Sequence, residues 1–107
     1  MRRLIFATIT ATAALSTIAV VRAYEHVVSQ KGKTFSAETI TVKPGDKVLF
    51  KNDDDVTHNV FSNTSGMSFN LTQAPGETGS QVFNTEGTAE IRCAFHTKMK
   101  LTVVVKK

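Results

Sequence analysis

One cysteine, Cys93, occurs in 107 residues. Disulfide frameworks and thiolate-cage zinc sites need several, so both are excluded. Tryptophan is absent, and there are only 2 prolines and 3 histidines. No glycine-rich phosphate loop, Ser/His/Asp set or paired-carboxylate motif is present. The length allows one domain. A hydrophobic content of 41% excludes a disordered chain.

Acidic residues are missing from positions 1–23, which hold Arg2, Arg3 and Arg22 around an apolar run from Leu4 to Val21. The run ends in Val21-Arg22-Ala23, with small residues at the two positions a signal peptidase reads. Residues 1–23 therefore read as a secretory signal peptide cut after Ala23. The competing reading is an uncleaved anchor, because the run is near the lower length limit for a span. The excess of 13 basic over 9 acidic residues belongs to this leader, since without its three arginines ten basic residues face nine acids. No nucleic-acid partner and no membrane span are expected of residues 24–107, because phosphate binding needs a clustered basic face. A domain this small gains from a staple, and a bound metal is one.

Residues 24–107 contain 10 Val and 11 Thr but only 3 Leu, a balance that favours strands. No window holds a 3.6-residue apolar period, and several alternate. Ile40 and Val42 alternate with Thr39 and Thr41, and Lys43-Pro44-Gly45-Asp46 follows as a turn. Val48 and Phe50 share one face of the next strand. His58 to Ser62, Gln81 to Phe83, Ala89 to Cys93, and Leu101 to Val105 read as further strands. The polar segment from Asn63 to Ser80 reads as a long crossing connection with a short strand near Ser68 to Leu71. With edge elements near Glu25–Lys31 and Phe35, about seven or eight short strands form an all-β, two-sheet sandwich.

The chemistry lies in Cys93-Ala94-Phe95-His96-Thr97-Lys98-Met99. It places thiolate, imidazole and thioether at i, i+3 and i+6, between two strong strands. Singly, such residues are usually core or surface filling. Together they are a soft donor set that suits copper, in a plane of two His and one Cys with a weak axial Met. The second imidazole must come from a neighbouring strand, and His58, in Thr57-His58-Asn59-Val60, is placed for it. Zinc competes for Cys and His but has little use for Met. A free thiol in an exported protein is a liability that metal binding removes.

These residues resemble the small cupredoxins of the plastocyanin and amicyanin type. His58-Asn59-Val60 is similar to the family's upstream histidine motif, and Cys93-x2-His96-x2-Met99 to its ligand loop, with amicyanin-like short spacing. The resemblance runs from about Glu38 to Val105 and includes the Val-Lys-Pro-Gly-Asp turn. It implies a Greek-key β-sandwich over residues 24–107 and one type 1 copper ion held by His58, Cys93, His96 and Met99. It implies that Asn59 ties the upstream strand to the cysteine loop. The loop departs from amicyanin in having Thr97 and Lys98 and no proline.

By the same resemblance His96 is an electron port emerging through an apolar patch that includes Phe95. The expected function is one-electron transfer in the periplasm or another exported compartment. Partners would be redox proteins such as a c-type cytochrome or a dehydrogenase, met by a monomer. Copper storage or delivery is the alternative, which the lack of Met-rich or His-rich tracts disfavours. Three histidines are too few for the added centres of a copper enzyme, so no catalysis is expected. His26 reads as a surface histidine, and Asp53-Asp54-Asp55 as a solvated loop more readily than as an acidic docking site.

Overall fold

The computed structural model describes residues 24–107, and the leader expected over residues 1–23 lies outside the described residues. The strands are β1 Glu25–Lys31, β2 Thr34–Phe35, β3 Thr39–Val42, β4 Asp46–Asn52, β5 His58–Ser62, β6 Phe69–Gln73, β7 Thr78–Phe83, β8 Gly87–Cys93 and β9 Lys100–Val105. No helix forms among the described residues. One sheet has the order β2-β1-β4-β7 and the other β3-β9-β8-β5-β6. Both are mixed: β1 runs parallel to β4 and β3 parallel to β9, while the other pairs are antiparallel.

Nine strands form rather than seven or eight. The short strand expected near Ser68 to Leu71 is β6, which runs two residues further and pairs with β5 from His58↔Gln73 to Ser62↔Phe69. Its alternation is weak in sequence because β6 is an edge strand. Phe69 and Leu71 turn inward but stay half-buried, alternating with exposed Asn70 and Thr72.

Alternation works as expected where both neighbours are present. Val48 and Phe50 from β4, Ala89 and Ile91 from β8, and Leu101, Val103 and Val105 from β9 fill the space between the sheets. Phe69 bridges the layers, with its ring 5.8 Å from Phe50 and 5.9 Å from Phe83. Met67 belongs to this core. The Lys43–Asp46 turn has Pro44 at its second position and Gly45 at φ 93°, with the Asp46 amide 3.0 Å from the Lys43 carbonyl. That is a type II turn, whose third position admits glycine without strain.

A buried polar layer closes the end of the sandwich where β4 leads into β5. Gln30 Nε2 donates to Gln73 Oε1 at 2.8 Å, and Gln73 Nε2 donates to the Phe50 carbonyl. Asn52 Nδ2 donates to the carbonyls of Val56 at 2.9 Å and Gln73 at 3.0 Å. These bonds join β1 and β4 of one sheet to β6 of the other. Gln73→Ala would strand the Gln30 amide and the Phe50 carbonyl in the interior. It is expected to cost about 3 kcal/mol in urea unfolding of the metal-free protein.

At the other end Asp46 gathers the start of β1. Its carboxylate accepts from the Tyr24 amide at 3.1 Å, the Lys43 amide at 2.9 Å and His26 Nε2 at 2.9 Å. His26 is thus half-buried and paired, not a free surface imidazole. The His26 ring first, and then the Lys43 amide, hold the Asp46 carboxyl below its ordinary value. A carboxylate with a depressed pKa stabilises the fold above its ordinary pKa, and the contribution fades as pH falls through the lowered one. Asp46→Asn should therefore be less stable than wild type at neutral pH, with the gap closing in acid. Denaturant midpoints across that pH range check it.

Candidate metal centre

Cys93 is the last residue of β8 and continues the inward row of Ala89 and Ile91. The register Val60↔Cys93 brings β5 beside it. His58 stands two residues before Val60 on the same face, so its ring reaches the sulfur. The His58 Nδ1–Cys93 Sγ distance is 3.7 Å. Beyond β8 the Ala94 amide donates to the Asn59 carbonyl at 3.2 Å, which pins the start of the loop to β5. The loop then returns His96, whose Nδ1 is also 3.7 Å from Sγ. The two imidazole rings lie 4.9 Å apart and meet edge to face. The Met99 amide closes the turn on the His96 carbonyl at 3.0 Å, and the Met99 side chain is buried just before β9 begins.

His58, Cys93 and His96 offer ligand atoms within 4.8 Å of one another. A nitrogen about 2.0 Å and a sulfur about 2.3 Å from one ion, separated by a trigonal angle, lie about 3.7 Å apart. Both N–S separations of 3.7 Å meet that value. The thiolate, two imidazoles and thioether on this loop and strand suit copper in softness and number. The Asn59 amide N–H points at the same sulfur from 3.4 Å.

The other face of His58 carries a contact that sequence reasoning missed. His58 Nε2 lies 3.0 Å from Asp54 Oδ2, and the same oxygen accepts the Lys33 amide at 2.9 Å. The Lys33 amide first, and then the His58 ring, lower the Asp54 pKa to about 2. The carboxylate is therefore ionised and can only accept, so Nε2 donates to it and Nδ1 is the ring nitrogen that faces the sulfur. Asn52 sets the loop, because its Oδ1 accepts the Asp54 amide at 2.9 Å. Asp53 and Asp55 are exposed, as a solvated acidic loop would have them, but Asp54 is not. The one available signal was an acid four residues before the histidine, and polar loops contain many such spacings.

Asn59 connects in two directions. Its backbone serves Sγ and Ala94, while its side-chain Nδ2 donates to Asn70 Oδ1 at 2.6 Å and Thr72 Oγ1 at 3.1 Å on β6. The cysteine loop is thus tied to β5 through the Asn59 main chain. On the outer side of the site, Phe95 is 60% exposed and His96 half-exposed. His58, Cys93 and Met99 are buried.

Residues 23–106 match the family described as copper binding proteins, plastocyanin/azurin family. The chain belongs to this family. Its copper-binding character and its cupredoxin sandwich follow from that membership and from the donor set at the end of β8. No curated protein sequence matches the chain. Among solved structures, a purple cupredoxin from Nitrosopumilus maritimus is 26% identical with a TM-score of 0.67, covering 76% of this chain and 99% of its own. A reduced amicyanin variant is 27% identical with a TM-score of 0.70, covering 77% of this cupredoxin and 82% of its own chain. A copper-containing nitrite reductase from Thermus scotoductus is 20% identical with a TM-score of 0.73, covering 80% of this chain but 23% of its own, and shows a shared fold alone.

Proposed function

We propose that this cupredoxin is an exported one-electron carrier whose copper would be held by His58, Cys93, His96 and Met99. Copper, when bound, supplies the Cu(I)/Cu(II) couple. The chain's own residues hold one geometry for both states. The β5–β8 pairing, the Asn59 amide and the Asp54 carboxylate restrain the donors from outside the ligand set, so little needs to move.

The observation that carries the reading is the asymmetry of burial. His58 and Cys93 are closed to solvent, and only His96 reaches toward the surface, beside exposed Ala94 and Phe95. An electron leaves most readily through that imidazole edge, and a small apolar patch suits brief docking with a redox protein. A c-type cytochrome or a dehydrogenase fits, met by a monomer in the periplasm after removal of residues 1–23. No catalysis of its own is assigned to the domain.

The test is stopped-flow electron exchange between the copper-loaded protein and a c-type cytochrome. Phe95→Lys is expected to slow the second-order rate about tenfold while leaving the optical spectrum unchanged. An unchanged rate moves the docking surface elsewhere. Copper that passes to an acceptor protein faster than its electron does would instead favour delivery.

A further inference from the structure

We infer that the mature amino terminus, Tyr24-Glu25-His26, is a second metal site, selective for Cu(II) or Ni(II) and separate from the cupredoxin centre. The inference rests on the proposed export, because it needs the peptide bond between Ala23 and Tyr24 to be hydrolysed. Water adds across that bond; the new carboxylate leaves with Ala23, and the Tyr24 nitrogen becomes a free α-amine. A free amine with histidine as the third residue can wrap a cation in fused chelate rings. The donors are the amine, the Glu25 and His26 amide nitrogens, and imidazole Nδ1. Each amide and the ammonium give a proton to water, and the four nitrogens form the square-planar set that Cu(II) and Ni(II) prefer.

The fold presents these groups together. The Tyr24 nitrogen and His26 Nε2 are held on the two oxygens of Asp46, at 3.1 Å and 2.9 Å. Because Asp46 takes Nε2, Nδ1 remains for a metal. Tyr24 is 72% exposed. Among the described residues nothing pairs with the edge of β1 away from β4 at Glu25, since β2 pairs with Gln30 and Lys31. Metal capture has to open just the first rungs of the β1–β4 ladder, Glu25↔Lys47 and His26↔Val48.

The site lies in a groove of about 580 Å³ that Lys43, Lys106 and Lys107 also line. It sits where β9 ends, whereas the cysteine loop sits where β9 begins. Among the described residues lining the groove, three lysines stand beside one side-chain carboxylate, Asp46, and this disfavours Ca²⁺ or Mg²⁺, which want several oxygens. Nitrogen donors that shed protons on binding avoid that penalty.

The test uses protein exported from the full chain, with intact mass establishing its first residue. One equivalent of Cu(II) fills the cupredoxin centre and gives the thiolate absorption. The second equivalent is expected to add only a weak d–d band, with nitrogen hyperfine structure in the electron paramagnetic resonance spectrum, and Ni(II) should compete for it. His26→Ala should lose the second equivalent and keep the first. One alanine inserted before Tyr24, which leaves every side chain of the fold in place, should do the same. A mature chain starting elsewhere, no second equivalent, or one that both variants retain overturns the site. None of these results touches the thiolate band, on which the carrier reading stands separately.

Discussion

Cys93→Ala is expected to remove the copper centre and leave the sandwich standing. The thiol is the only one in the sequence, and no other thiolate can replace it. The intense thiolate-to-copper absorption should vanish in the variant. The fold has less to lose. The Cys93 side chain is small, and the Val60↔Cys93 pairing uses the backbone. The metal-free variant should unfold within about 1 kcal/mol of the metal-free wild type. The two proteins then separate sharply when copper is added. Free copper at a thousand times the dissociation constant stabilises the wild type by about 4 kcal/mol, and the variant should gain little of this. Optical titration followed by thermal melts with and without Cu(II) measures both. A variant that kept the thiolate band would end the assignment of Cys93.

Asp54→Ala should be the most damaging change outside the ligands. It removes the acceptor for His58 Nε2 and for the Lys33 amide together. The imidazole is then free to take the other tautomer, with a proton on Nδ1 where the metal must bind. Lys33, which holds a positive φ of 57°, loses the bond that anchors its turn. Copper affinity is expected to fall about 10- to 100-fold in chelator competition. Asp54→Asn keeps an oxygen acceptor and should recover part of the loss. Equal affinity in Asp54→Ala and wild type would reduce the contact to packing.

Both predictions start from side chains of very different visibility in the sequence. Cys93, His96 and Met99 are close in the chain, and their donor chemistry is unusual enough to stand out at that spacing. His58 lies far upstream, but it opens an alternating strand, and strand pairing is the ordinary way to bring a distant residue next to a loop. The inward rows of β4, β8 and β9 were legible for the same reason. Those strands have neighbours on both sides, and each buries one face. β6 was legible only as a short strand near Ser68 to Leu71, because an edge strand can keep polar residues on its outer face at little cost and this blurs its ends.

Asp54, Gln73 and Asp46 carried no such mark. Acids and amides are common in loops and at strand ends, and most are simply hydrated. What distinguishes these three is the partner each meets across a gap in sequence: Lys33 and His58 for Asp54, Gln30 for Gln73, and Tyr24 and His26 for Asp46. The amino-acid order alone was enough to specify an all-β body and the donor chemistry of one loop, since both follow from local residue type and period. How the donors are restrained, and which polar groups lose their water, was set when two sheets closed over a core. Desolvation and orientation are properties of neighbours in space, and the linear chain does not contain them.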